Sequence, residues 1–184
     1  GLWLGRQGVE VIHLVDPSLQ VQSQLQRTID ADIPWPCQLK LYPTKGEELT
    51  VTPLPRSCYI IAGMGGEKIA SIVDHLRPQF AADARLVLSP HRDIPLVRAR
   101  LREANLGLIH EELVRDGGRF YEVLVVSPAS ERPVSPYGEE IWSGELAGPY
   151  CQHLLAGLAK HRDPSSEALR QFLTQKVKVL PIAR

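Results

Sequence analysis

Hydrophobic and polar positions change period several times along the chain, and each change marks an element. Val9–Val15 is strongly apolar and stops at Asp16-Pro17-Ser18, the pattern of a strand running into a helix cap. Leu19, Val21, Leu25 and Ile29 follow at weakly helical spacing to about Arg27, and Pro34, Trp35 and Pro36 break that helix. Gln38–Tyr42 is a short strand, Pro43-Thr44-Lys45-Gly46 a turn, and Pro53 and Pro55 close a loop. Cys58–Ala62 is a continuous apolar run, expected of a parallel strand covered on both faces, and it stops at Gly63-Met64-Gly65-Gly66. Helical spacing takes over at Ile69, Ile72, Val73 and Leu76 and ends before Pro78. Arg85–Leu88 is a second buried strand, ended by Ser89-Pro90-His91, and a helix from about Asp93 to Asn105 follows, with Ile94, Val97, Leu101 and Ala104 on one face. Arg98 and Arg102, four apart, share its outer face.

Strand, helix, strand and helix joined by short connections predict a doubly wound α/β sheet. The pattern then changes. Leu106–Val114 and Phe120–Val126 are strand-like runs joined by Asp116-Gly117-Gly118-Arg119, a link too short for anything but an antiparallel hairpin. A mainly parallel sheet finished by such a hairpin predicts a Rossmann-like fold of the S-adenosylmethionine-dependent methyltransferase type more than a dehydrogenase. A Pro/Ser loop over 127–138 leads to helical stretches at Glu139–Glu145, Tyr150–Lys160 and Pro164–Val177, the last with Asp163 as N-cap and Leu169, Phe172 and Leu173 facing inward. Residues 1–126 are therefore expected to form the sheet domain and 127–184 a loop and C-terminal helical appendage.

Composition adds limits. The 184 residues balance 21 Lys+Arg against 21 Asp+Glu, and 43% hydrophobic content supports a real core. No apolar run approaches the roughly 18 residues of a membrane span, and no basic start precedes an apolar stretch, so a cytoplasmic location is expected. Cys37, Cys58 and Cys151 form no CxxC, which argues for a reducing compartment and against a zinc site. Cys58, inside an apolar run, reads as a small buried hydrophobe. The only methionine is Met64, and the chain opens on Gly1, so further residues are expected upstream. Two basic patches interrupt the neutral background: Arg92, Arg98, Arg100 and Arg102 against Asp93, and Arg170, Lys176, Lys178 and Arg184 with no acid. Either patch can contact phosphates or simply be a solvated helix face.

Ligands of open α/β sheets sit beyond the carboxyl ends of the strands, and three such ends carry distinctive residues. Asp16 can accept ribose hydroxyls of a nucleoside cofactor, or merely cap the following helix. The glycines after Ala62 let backbone approach a ligand and open a helix whose first amides are free, or form only a tight turn. His91 can bond a substrate edge, though a lone histidine is more often structural. The six histidines show no metal-ligand spacing, and neither a Walker A loop nor a G-x-S-x-G elbow is present.

These residues carry a resemblance. Ile61-Ala62-Gly63-Met64-Gly65-Gly66, followed by Ile69 and Ile72, resembles the I-A-G-M-G-G signature of the bacterial tRNA (adenine-22-N1)-methyltransferase family, TrmK. Arg85–His91 is similar to that family's R-L-I-L-Q-P-N, and Leu101–Val126, with Asn105, Glu112-Leu113-Val114, Asp116-Gly117 and Tyr121-Glu122, to its N…E-L-V-x-E-D-G-x-x-Y-E-I stretch. Gly148-Pro149 matches a later G-P, so the likeness spans roughly 58–150. There are departures. Lys45-Gly46-Glu47 stands where the family has G-D-G, so its adenine-contacting Asp is unmatched, and Q-P-N is replaced by Ser89-Pro90-His91. The family's D-I-G-S-D-H strand, with an Asp thought to be catalytic, would precede Gly1, and Leu2-Trp3-Leu4-Gly5 looks like the helix after it. Without that strand, Val9–Val15 and Cys58–Ala62 are not expected to pair. The C-terminal helical hairpin is shortened to 150–177.

The resemblance implies methyl transfer from S-adenosylmethionine to N1 of an adenine in tRNA. It implies a cofactor site of Asp16, Ala62, Gly63, Met64 and Gly65, and substrate contacts from His91, Arg92, Arg98 and Arg102. The catalytic residue is not assigned, and no metal or membrane partner is implied. The competing reading is a methyltransferase-like module that has lost catalysis and binds RNA or protein. An NAD-linked enzyme is disfavoured by the hairpin and by the lack of G-x-G-x-x-G.

Overall fold

The structure, a computed structural model, describes residues 4, 6–31, 36–159 and 164–180. Leu2, Trp3, Gly5, Pro34, Trp35, Lys160, Asp163 and Arg184, all named above, lie outside the described residues. The chain divides into two compact units, Gly1–Val51 and Thr52–Arg184, and not at 126/127 as expected.

The first unit is one β-α-β turn: strand β1 (Val11–Val15), helix α1 (Leu19–Ala31) and strand β2 (Gln38–Tyr42). The strands pair in parallel with Val11 opposite Gln38 and Val15 opposite Tyr42. Buried Gln22 ties helix to strand ends, its Nε2 donating to the Asp16 carbonyl at 2.8 Å and the Tyr42 carbonyl at 3.0 Å. Helix α1 runs past Arg27 to Ala31, since nothing in that segment breaks it.

The second unit carries strand β3 (Cys58–Met64), helix α2 (Gly66–Leu76), strand β4 (Arg85–Pro90), helix α3 (Ile94–Glu103), and the hairpin β5 (Gly107–Asp116) and β6 (Arg119–Ser127). Helices α4 (Ala147–Leu158) and α5 (Pro164–Val177) follow. The sheet order is β3-β4-β6-β5, with β3 and β4 parallel and β6 antiparallel to both its neighbours. The segment expected as a helix over 139–145 is only a 3-10 turn, Glu140–Trp142.

Strand alternation separates two faces. Leu86, Leu88, Leu124 and Val126 are all fully buried on one face, and each such burial contributes roughly 1.5–3 kcal/mol. The same face continues through Tyr59 and Ile61 on β3, and through Leu108, Glu111 and Leu113 on β5. The other face is open at β3, where Ile60 is 53% exposed and Cys58 and Ala62 are exposed with it. This corrects both the expected two-faced cover of β3 and the buried reading of Cys58. Helices α3 and α4 meet the closed side through Arg98 and Tyr150.

Helix α3 ends in a Schellman motif. Leu106 N donates to the Leu101 carbonyl at 2.9 Å, Asn105 N donates to the Arg102 carbonyl at 3.0 Å, and Asn105 takes φ 52°. The turn delivers the chain into β5, where Gly107 lies so close to Ser130 that a Cβ would run into its carbonyl oxygen. A second core cluster joins Leu113 to Trp142, Tyr150, Cys151 and Leu173. It spans the expected boundary at 126/127, which is why no unit ends there.

Candidate cofactor and substrate edge

The carboxyl ends of β3, β4 and β5 lie along one edge of the second sheet, because the three strands run the same way. At that edge β3 kinks between Ala62 and Met64, where Gly63 takes φ 82°, a left-handed value that favours glycine. A Cβ placed on Gly63 would meet nothing within 4 Å, so backbone there faces open space. Gly65 then caps α2, and a Cβ on it would lie 2.9 Å from Arg92 Nε. The Arg92 side chain therefore lies against the glycine turn while 78% exposed, with Asp93 at 3.4 Å as its ion partner among the described residues.

Backbone hydrogen bonds lock this edge. His91 N donates to the Met64 carbonyl at 2.9 Å, and Gly66 N donates to the Arg92 carbonyl at 3.0 Å. The first amide of α2 is thus engaged, a correction to the expectation that it is free. Gly66 is needed for this close approach, since a Cβ would lie 2.6 Å from the Asp93 carbonyl oxygen. The His91 ring meets Tyr121 edge-on, 5.6 Å between centroids. An open glycine turn, an exposed imidazole against a phenol ring and a guanidinium share one rim.

Of the expected site residues, Ala62, Gly63, Met64, Gly65, His91 and Arg92 come together here. Asp16 belongs to the first unit. Its Oδ1 accepts the Ser18 amide at 2.8 Å in an Asx turn ahead of α1, and the cap itself is Ser18, whose Oγ accepts the Val21 amide at 3.4 Å. Arg98 does not belong to an RNA-facing surface. It is fully buried, with Nη2 2.6 Å from Glu111 Oε2 and 2.7 Å from Glu122 Oε2, and Nη1 donating to the Ser135 carbonyl at 3.1 Å. Spacing alone put Arg98 beside Arg102 on an outer face. The acids on the closed face of the hairpin instead draw it inward. Arg102 is exposed near the far end of α3, Nη1 donating to the Val134 carbonyl at 3.3 Å.

The buried cluster extends further. Glu122 Oε1 accepts the Tyr150 hydroxyl at 2.7 Å, and Glu111 Oε1 accepts the amides of Glu139 and Glu140, the latter at 2.8 Å. One guanidinium thus faces two carboxylates, and the hydroxyl and amides satisfy their remaining oxygens. Burial opposes charge on Arg98, but Glu122 and Glu111 outweigh it and hold its pKa above the ordinary value. Burial, then the Glu122 charge, push the Tyr150 phenol up, so it stays a donor. At the edge of the cluster Glu140 bonds Arg132, the Glu111 amide and His110, which hold its carboxyl at about 2. Sequence reading missed this network. Its signal was the alternation in the hairpin, which puts Glu111 and Glu122 on the same face as Leu113 and Leu124.

Comparison with solved structures defines the class: the fold is that of Rossmann-like S-adenosylmethionine-dependent methyltransferases. Streptococcus pneumoniae Sp1610, a candidate tRNA (m1A22) methyltransferase, superposes with TM-score 0.75 at 20% identity, over 96% of this chain and 83% of that one. M. capricolum TrmK, solved with S-adenosyl-homocysteine, gives TM-score 0.69 at 11% identity, over 95% of this chain and 82% of that one. The family is narrower than the class. The family model for tRNA (adenine(22)-N(1))-methyltransferase, TrmK, matches residues 51–148, and the chain belongs to that family. The Bacillus subtilis (strain 168) tRNA (adenine(22)-N(1))-methyltransferase is 34% identical over 90 residues, 49% of this chain and 37% of the relative's length. The match thus spans well under half of that curated relative. No group of three His, Cys, Asp or Glu among the described residues can hold a metal ion, and no described helix is long and apolar enough to cross a membrane.

Proposed function

We infer that the protein transfers a methyl group from S-adenosylmethionine to N1 of an adenine in tRNA. The observation that carries the reading is the Gly63–Gly66 turn at the carboxyl end of β3. It bears the I-A-G-M-G-G sequence inside the matched stretch and leaves open space beside Gly63. The bound cofactor supplies an electrophilic methyl on a sulfonium. The chain's own work is alignment and exclusion of water, because an in-line displacement depends chiefly on geometry.

Each residue then has a limited task. Gly63 and Gly65 leave backbone bare where a ligand packs against β3 and α2. His91 and Tyr121 form the aromatic wall on which an unstacked base can rest, since adenine N1 sits on the pairing edge and must leave the duplex to react. Arg92 can swing from Gly65 toward a phosphate or carboxylate.

The test is methyl incorporation by the full-length protein into unmodified tRNA, followed by nucleoside analysis. The reading expects 1-methyladenosine and S-adenosylhomocysteine in equal amounts. No methylated nucleoside, with cofactor and tRNA both bound, would leave the catalytically silent binding module in its place.

A further inference from the structure

The basic residue that sequence spacing assigned to RNA, Arg98, is buried, so the phosphate-contacting surface has to be found elsewhere. The hairpin turn offers one. Strands β5 and β6 project Arg115, Asp116, Gly117, Gly118 and Arg119 beyond the sheet, all exposed. This tip lies at the carboxyl end of β5, and so at the same edge as the glycine turn and His91. Tyr121, two residues along β6 from Arg119 and on the same strand face, touches His91 and ties the tip to that rim.

The arginines at the tip are held ready. Arg115, on the opposite face of the hairpin from Arg119 and Tyr121, lies over the Phe120 ring at 5.4 Å, which orients its guanidinium without neutralising it. Arg119 faces Asp116 across the hairpin but forms no ion pair with it within 4.0 Å. Arg92 lies at the same sheet edge, beside Gly65. Arg100, by contrast, is committed to Glu103 at 2.7 Å and Asp74 at 3.5 Å, and lies farther along α3, which runs away from the rim.

We propose that the guanidinium groups on the two faces of the hairpin tip, Arg119 on the His91–Tyr121 side and Arg115 on the other, bind backbone phosphates of the RNA on one side of the nucleotide being modified. The inference rests on the reading of RNA as substrate and adds the surface that grips it. A flipped base leaves its neighbouring phosphates at the mouth of the pocket, and the tip is the part of this rim that reaches past it. Guanidinium groups suit phosphate because their planar forks donate in pairs.

The test is the salt dependence of tRNA binding by the full-length protein, for wild type, Arg115→Ala/Arg119→Ala and Arg100→Ala/Arg102→Ala. Each lost phosphate contact lowers the slope of log K against log salt by about 1, so the tip variant should lose about 2 and the helix variant none. The tip variant should also keep wild-type affinity for S-adenosylmethionine, measured by calorimetry. It should raise KM for tRNA while leaving kcat at saturating tRNA unchanged. A wild-type slope in the tip variant overturns the proposal while leaving the methyltransferase reading intact. A wild type that binds no tRNA even at low salt overturns both.

Discussion

Replacing Arg98 with methionine isolates what the buried cluster does. The change keeps the apolar stem, which packs in the core, and removes the cation that holds Glu111 and Glu122. Both carboxylates are almost inaccessible, at 1% and 5% exposure, and would keep only the Tyr150 hydroxyl and the Glu139 and Glu140 amides. Stripping one partner from a buried ion pair costs about 3–5 kcal/mol, since the remaining charge stays desolvated. A cooperative unit of this size shifts its Tm by about 4 °C per kcal/mol, so the expected drop is roughly 12–20 °C. Against a total stability of about 5–15 kcal/mol, that loss brings the variant close to unfolding only if the wild type lies at the low end of the range. Arg98→Lys should fall between, losing about 1–3 kcal/mol, because one ammonium cannot span Glu111, Glu122 and the Ser135 carbonyl together. Calorimetric melting and urea midpoints read both. An Arg98→Met protein that melts within about 4 °C of wild type would show that the guanidinium does not hold the hairpin to α3. A reduced salt slope for RNA binding in Arg98→Lys would return this residue to the surface.

Other substitutions probe the remaining parts. Glu140→Gln should destabilise the protein above pH 4.5, and its difference from wild type should fade as pH drops toward about 2; a folded-state carboxyl held that low contributes stability that protonation removes, and acid titration of both proteins checks it. Gly66→Ala should cost about 1–3 kcal/mol, because the Cβ meets the backbone carbonyls of Asp93 and Arg92, and urea unfolding reads the loss. Gly65→Val should keep most of its stability, since the new side chain displaces only the flexible end of Arg92, yet lose S-adenosylmethionine binding in calorimetry. Gly107→Ala should shift the loop at Ser130 and destabilise by a similar 1–3 kcal/mol, seen in the melting temperature.

Much of the architecture was legible because local patterns and tertiary demands agree. Gln38–Tyr42 and Pro164–Val177 appear with the expected bounds, and the Gly117-Gly118 turn makes the hairpin that its shortness requires. What was not legible depends on partners distant in sequence. Arg98 looked like a surface residue because a helical wheel shows where a side chain leaves the helix, but not the carboxylates that await it on another element. Cys58 and Ile60 looked buried because an apolar run does not say how many layers cover it. The site was legible where it is local, at Gly63–Gly66, and not where it is assembled. The His91–Tyr121 contact joins residues thirty positions apart, and the role of Arg92 is visible only from its approach to Gly65.

The central claim is that the edge formed by Gly63–Gly66, His91 and Tyr121 takes S-adenosylmethionine. Titration calorimetry of the full-length protein with the cofactor tests it most directly. The account predicts one site per chain with micromolar affinity, lost in Gly65→Val and unchanged in Arg115→Ala/Arg119→Ala. No heat at millimolar cofactor, from protein whose melting curve shows it folded, would contradict it.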